Sequence, residues 1–405
     1  KGDFYYAPPS GFLALCTDNL PDPEIKLPGE YFNILPYTAN DATLSKTGLG
    51  FQPDFCWFKN IGNTNRHALF DVARGATKTL AANGNYAELT IADMLTSFDS
   101  DGWTIGEDDG MYGVNYVSAS AFVSWNWKAG GAPTADNSAG AGATPTAGSV
   151  KIDGSNLGSA LAGTIPATRL SANTTSGFSI IKYTGDGNGN ATFAHGLSTS
   201  PDLVVIKNID DTKGWMVWSP TFGSSGGDCT YLMSWEGSGG PANWCEDTIR
   251  LSGTTMVQIA SSSGGSTFAW VNQSGVDYIA YCWNNIEGYS KRGTYQGNGN
   301  ADGPFIYTGF RPAYLWLKGS GSSQHWHQFD NEQYPYNQTS NTTTTGVVLD
   351  EATNTGGGGG EGMGPIDILS NGFKARANNG NGNDSSTTFT YLAFAESPFK
   401  YSNAR

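Results

Sequence analysis

Charge is scarce in this chain. Of 405 residues, 22 are Lys or Arg and 36 are Asp or Glu, so only 14% are charged and the formal net charge is −14. The basic residues form no stripe or cluster, which argues against a nucleic-acid partner. The acidic balance does not suit anionic membranes either, and it reads most simply as solubility. No apolar run approaches the ~20 residues that a membrane-spanning helix needs, so membrane insertion is not expected, and no signal peptide is visible. Cysteine is sparse and odd in number, with five residues and neither a CxxC nor a zinc-site spacing, which excludes a disulfide scaffold. Cys56 and Cys282 sit in the apolar patterns FCWF and YIAYCW and read as core. A bridge between Cys229 and Cys245 stays open, with separate thiols the favoured reading. Sustained 3.6-residue periodicity is also missing, and segment 87–98 (AELTIADMLTSF) is the best candidate for one short helix.

Glycine and aromatic residues are abundant, with 55 Gly and 13% Phe, Trp and Tyr. Disordered chains are poor in aromatics and rich in charge, so this chain folds. Gly and Asn take positive φ at low cost, as tight hairpins require. Many short strands joined by such turns are therefore expected, giving an all-β fold.

Three segments begin alike: Tyr37-Thr-Ala-Asn40, Tyr183-Thr-Gly-Asp186 and Tyr295-Gln-Gly-Asn298. Each is followed 16, 18 or 17 residues later by a Pro, and then after 6 residues by a Lys: Pro53–Lys59, Pro201–Lys207 and Pro312–Lys318. Aromatic segments follow at 67–71, 215–218 and 325–330. Each repeat closes on an alternating strand: AFVSWNWK (121–128), DYIAYCWN (277–284) and TFTYLAFA (388–395). Alternation places one set of side chains inward and the other outward. The reading is three tandem β-sandwich modules of jelly-roll or concanavalin-like type, with an immunoglobulin-like topology as the alternative. Their bounds are 34–128, 177–290 and 291–405. Residues 129–176 contain no aromatic residue and are rich in Ala, Gly, Ser and Thr; they read as a linker or extended arm without regular structure. Residues 1–33, which begin with Lys, read as the end of a preceding β-domain with a Pro-rich exit, in a fragment or processed form.

The stretch AGGAPTADNSAGAGATPTAGSVKIDG followed by IPATRLSANTTSGFSI resembles the connector of tail-fibre-like virion structural proteins of marine tailed bacteriophages. GFQPDFCWFKN, RHALFDVARGATKTL, SFDSDGWTIG and ASAFVSWNWKAGG are similar to flanking pieces of the same family, and YYAPPSGFLALCTDNLP resembles the end of a SPRY-like sandwich. The resemblance covers roughly 1–290. It implies a virion or extracellular structural protein, a tail-fibre or spike subunit that contacts host-surface polysaccharide and other virion proteins. By analogy with phage fibres it also implies a homo-oligomer, with a trimer favoured. The resemblance carries no catalytic residues, and no enzyme is expected. Two alternatives stand beside it: a decoration or joint protein without receptor binding, and a polysaccharide depolymerase.

For each candidate site residue, plain packing is the alternative to a binding role. Exposed aromatic rings can stack on sugars, which makes Trp215, Trp218, Trp235, Trp244 and Trp326 candidates, with 213–250 as the first region of interest. His325 and His327, with Asp330, have the alternate spacing of strand metal ligands, without a third firm ligand. Asp99, Asp101, Glu107 and Asp109 can offer oxygen ligands to Ca²⁺, although an ordinary acidic turn is favoured; no other cofactor is expected. The Gly/Asn loops 185–190, 297–303 and 378–384 can bind Ca²⁺ or sugar hydroxyls, or serve as turns. Glu246-Asp247, Asp350-Glu351 and Asp330/Glu332 make poor catalytic dyads. The loops 339–348 and 355–364 are further places for binding.

Overall fold

The computed structural model describes residues 9–10, 19–108, 110, 113–116, 118–226, 229–245, 247–260, 268–321, 324–333, 337, 347–349, 365–376 and 382–402. Among these the chain is all-β, with no α-helix and three single-turn 3₁₀ segments. One pattern of strand order occurs three times. A first large sheet runs, edge to edge, Phe32–Thr38, Ala121–Trp127, Phe55–Asn60, Ala68–Asp71, Lys78–Ala81, Leu89–Thr90; a small sheet faces it as Leu44–Thr47, Gly102–Ile105, Leu95–Asp99. In the second unit the corresponding run is Phe178–Thr184, Asp277–Trp283, Leu203–Asn208, Trp215–Trp218, Cys229–Ser234, with the small sheet Ala191–Ala194, Met256–Ile259, Ile249–Ser252. In the third unit it is Ser290–Gln296, Thr388–Pro398, Phe310–Gly319, Trp326–Asp330, Val347–Val348, with Phe305–Tyr307, Gly372–Ala375, Ile366–Leu369. Register repeats as well: Phe55 pairs with Trp127, Leu203 with Trp283 and Tyr314 with Phe394.

The short helix expected over 87–98 is not formed. Leu89–Thr90 and Leu95–Asp99 are strands, and the latter turns back through residues 100–101 to pair with Gly102–Ile105. Buried Leu95 then packs with Trp103 in the interior of the first unit. Burial across the sheet replaces the helical stripe.

Alternation along the large-sheet strands does not divide core from solvent. Phe55–Asn60, Leu203–Asn208 and Phe310–Gly319 are buried at every position. One face of each large sheet closes on its own small sheet, and this makes three separate cores. The other faces meet one another in a fourth core that draws residues from all three units. At its centre Trp57, Trp235 and Trp316, one from each unit, form a closed triangle. Ring centroids lie 5.0 Å (Trp57–Trp235), 5.0 Å (Trp235–Trp316) and 5.5 Å (Trp57–Trp316) apart, in edge-to-face arrangement. Such pairs contribute beyond the area they bury.

Three equivalent hydrogen bonds run around this core. Trp215 Nε1 donates to Ala81 O in the first unit at 2.9 Å, and Trp326 Nε1 donates to Ser234 O in the second at 2.9 Å. His67 Nε2 meets Val348 O in the third at 3.1 Å. Trp215 and Trp326 face Lys207 and Lys318 across the sheet, His67 directly precedes Ala68, which faces Phe58, and the acceptors are matched residue for residue on the neighbouring strands. His67 Nδ1 accepts from Trp57 Nε1 at 3.0 Å, so its Nε2 carries the proton and the ring is neutral. Burial pushes its pKa well below the usual histidine range. Tyr281 donates to Asp71 and Trp125 to Asp330, adding two more links between units at 2.8 and 3.0 Å.

Residues 129–176 are not an unstructured arm. Val150–Ile152 pairs in parallel with Ala167–Asn173, which in turn pairs with Phe178–Thr184 and extends the second large sheet. Small side chains make this possible: Ala167 and Ala172 enter the second core, and a Cβ on Gly130 would lie 2.4 Å from Ala172 O. Thr164 and Ile165 donate to Thr192 O, both at 2.9 Å, covering the edge of the second small sheet.

Because the central core belongs to all three units, they are expected to unfold together. Trp235→Ala, which removes one side of the triangle, should destabilise the whole chain by roughly 3–5 kcal/mol and lower a single calorimetric transition. Units that unfold independently would instead show only one of several transitions moving.

Candidate functional site

The lysines that mark the repeats are buried: Lys59, Lys207 and Lys318. Lys59 Nζ donates to Asn60 O at 2.6 Å and Asn63 O at 3.0 Å, Lys207 Nζ donates to Asn208 O and Asp211 O, and Lys318 Nζ donates to Gly237 O and Gln324 O. Each thereby satisfies carbonyls of a turn. Burial pushes Lys59 down to about 7 and Lys207 down to about 8.

The repeated tyrosines work with a residue type that the repeat pattern alone did not expose. Tyr37, Tyr183 and Tyr295 donate to Val114 O, Val271 O and Gly382 O at 2.5, 2.7 and 2.6 Å. The next residue in each case is a buried asparagine: Asn115, Asn272 or Asn383. Asn272 accepts from Asp186 N and donates to Asp186 Oδ1 and Asn188 O; Asn383 does the same with Asn298 and Asn300, and Asn115 with Asn40 and Ala42. The first two of the three Gly/Asn loops are therefore held by side chains of their own unit. A Cβ on Gly185 or Gly297 would lie 2.3 or 2.1 Å from a carbonyl beside that asparagine, and this explains the glycine there. The third loop, 378–384, is described only at 382–384 and supplies the holding residue Asn383.

The aromatic candidates lie inside rather than on the surface. Trp215, Trp235 and Trp326 are in the shared core, and Trp218 is buried in the second core. A ring with both faces packed has none to offer a sugar. Trp244 is half-buried and packs edge-on against Trp270 at 5.3 Å. Trp244 also lies beside a disulfide, because Cys229 and Cys245 are bonded, against the favoured reading of separate thiols; their strands are adjacent.

His325 and His327 are both buried, and burial pushes His327 down to about 3. Asp330, raised to about 6 by burial, accepts from Trp125 and from the backbone of Glu332 and Gln333. Asp99 accepts from Ser97 and Thr104, and Asp101 closes a turn by accepting from Gly48 N and Gly50 N. Glu107 is exposed. Asp109, Glu246, Asp350, Glu351, most of 339–348 and all of 355–364 lie outside the described residues. Among the described residues no three His, Cys, Asp or Glu side chains come together as a metal site.

Open space is found at the ends of the large sheets, where one unit passes to the next. A cleft of about 400 Å³ lies at the exit of the first unit, beside Tyr31, Asp54, Lys128 and the Gly130–Gly131 turn. Asp54 forms part of its wall and accepts from Ala129 N at 2.7 Å and Gly131 N at 3.1 Å, while burial raises its pKa to about 6. A larger cleft of about 470 Å³ lies at the exit of the second unit, between Pro21 and Pro23 on one side and Ile286, Tyr307 and Phe399 on the other.

The family described as "Domain of unknown function (DUF7483)" matches residues 27–152 and again 149–398. The chain belongs to this family. The two matches meet within the arm, the first taking in the first unit and the second the other two. No curated protein and no solved structure matches the chain.

Two consequences can be measured. Asn272→Ala removes three hydrogen bonds from a partly exposed turn, two to acceptors and one from a donor, and should cost roughly 1–2 kcal/mol, read as a fall in denaturant midpoint. Lys59 and Lys207 bind protons more weakly folded than unfolded, so stability should rise with pH from about 7 to 9. Above about 10, unfolded tyrosines ionise while buried ones resist, and stability should fall. Melting curves across this range should show both limbs, with the rise smaller in Lys59→Met.

Proposed function

We propose that the chain is a rigid structural module of a virion surface appendage, a tail fibre or spike, which presents a host-glycan contact. The observation that carries this reading is the shared core. Three sandwich units close on one another through Trp57, Trp235 and Trp316, with matched hydrogen bonds from His67, Trp215 and Trp326. A body of this kind resists bending and shear at its joints, which suits a part that transmits load. The buried Asp54, Asp71, Asp330, Lys59, Lys207, Lys318 and His67 are used in holding turns and seams, which favours presentation over catalysis. The sequence resemblance to tail-fibre-like proteins supports the same assignment, including an extracellular or virion location and contacts with other virion proteins.

In this proposal one chain supplies the threefold body that a fibre of identical subunits would assemble from three. This reading replaces the homotrimer that the resemblance implies by a single chain per threefold unit, and it is supported by the three large-sheet faces that meet within one chain. Light scattering on the purified protein should give the mass of one chain; a stable trimer would overturn this part. A fluorescent fusion of residues 1–405 should bind host cells saturably, and stripping surface polysaccharide should abolish the binding. A well-folded fusion that binds no host cell would overturn the adhesive part of the reading and leave a decoration or joint role.

A further inference from the structure

The cleft at the exit of the second unit differs from the rest of the molecule in what it exposes. Tyr307, on the edge strand Phe305–Tyr307, is 54% exposed, and its ring forms part of the wall. Lys291 Nζ donates to Tyr307 O at 3.0 Å and lies 5.2 Å from the centre of that ring. The ammonium makes no ion pair among the described residues and keeps protons to donate. Of the other polar walls, Ser290 is bonded to Asn284 and Ile286, Thr308 to Phe310, Asn285 to Arg292, and Lys400 to Leu20 O and Asp22, while Glu287 stands exposed on the same lining.

The repeat supplies an internal control. Matching the sheets pair by pair places Thr47 in the first unit and Ala194 in the second where Tyr307 stands in the third. Asn33 and Ser179 likewise stand where Lys291 does. The fold is thus built twice without either side chain. An exposed ring and a cation beside it are additions to one unit, placed together on the wall of this cleft of about 470 Å³. Its volume lies within the range of ligand sites, roughly 300–1,000 Å³.

We propose that this cleft binds a sugar carrying a carboxylate, of the uronic acid class, as one residue of a surface polysaccharide. The free face of the Tyr307 ring stacks on the apolar face of the pyranose, and the Lys291 ammonium pairs with the carboxylate. The inference rests on the adhesive reading above and names its site and ligand.

The test is calorimetric titration of the full chain with a galacturonic acid tetramer and with a neutral glucose tetramer as comparison. The wild type should bind the acidic tetramer and prefer it to the neutral one. Tyr307→Ala should weaken acidic binding by about tenfold or more, and Lys291→Met should erase the preference. Tyr307 is exposed and Lys291 half-buried at the edge of the cleft, so both variants should fold and melt within about 1 kcal/mol of the wild type. Absence of acidic-tetramer binding, or binding unchanged in both variants, overturns the proposal. Cell binding by the same proteins separates the two readings. Wild-type and Tyr307→Ala proteins that bind cells equally would sink the cleft and leave adhesion standing. A wild type that binds the tetramer but no cell would keep the cleft and sink host adhesion.

Discussion

Three large β-sheets have two apolar faces each, and a sandwich can cover only one of them. The second face sets the main physical constraint on this chain. Phe55, Trp57, Trp125 and Trp127 in the first unit, with Val205, Tyr281 and Trp283 in the second and Tyr314, Trp316 and Phe394 in the third, would be exposed if the units stood apart. Exposed apolar surface on that scale drives association. The chain meets the demand internally by folding its three units around one axis, where the triangle of Trp57, Trp235 and Trp316 fills the centre.

Polar groups at the seams follow from the same constraint. A buried indole N–H or imidazole is costly without an acceptor; His67, Trp215 and Trp326 each find a carbonyl of the neighbouring unit, while Trp127, Trp235 and Trp283 keep an indole N–H without a partner among the described residues. Departures from threefold symmetry are informative too. Trp125 and Tyr281 reach Asp330 and Asp71, while Leu392, at the matching position of the third unit, has no polar group to offer. Trp235 occupies the third corner of the triangle, where the residue equivalent to Trp57 and Trp316 is the smaller Val205. The repeats have diverged while the space they share stays filled.

Much of the strand framework is legible in the sequence because register is preserved. The interval from Pro53 to Lys59 recurs at Pro201 and Pro312, since each Lys must reach the turn that follows its strand. What escaped was long-range. Asn115, Asn272 and Asn383 lie about ninety residues or fewer from the turns they hold, in stretches that otherwise differ. The tryptophans of 215–235 stand in an irregular region that resembles a loop-rich edge, and only packing against the other two units turns it into core. Alternation in AFVSWNWK signalled two faces correctly but could not say that the outward face has another sheet against it. The Ala- and Gly-rich stretch 129–176 lacks large side chains because it lies close against backbone, as at Gly130, and not because it is loose. The Tyr307–Lys291 cleft had a weak sequence signal, aromatic residues on both exposed positions of Phe305-Ile306-Tyr307, which is informative only once the matching strands are known to carry smaller side chains.

Hydrogen exchange on the native protein, followed by mass spectrometry, tests most directly whether the shared core makes one body of three units. The slowest amides of Phe55–Asn60, Leu203–Asn208 and Phe310–Gly319 should exchange with one common opening free energy, as expected for strands released only by global unfolding. If one of these strands opened well before the other two, with those still protected, the units would be separate bodies in contact and the central role given to the tryptophan triangle would be contradicted.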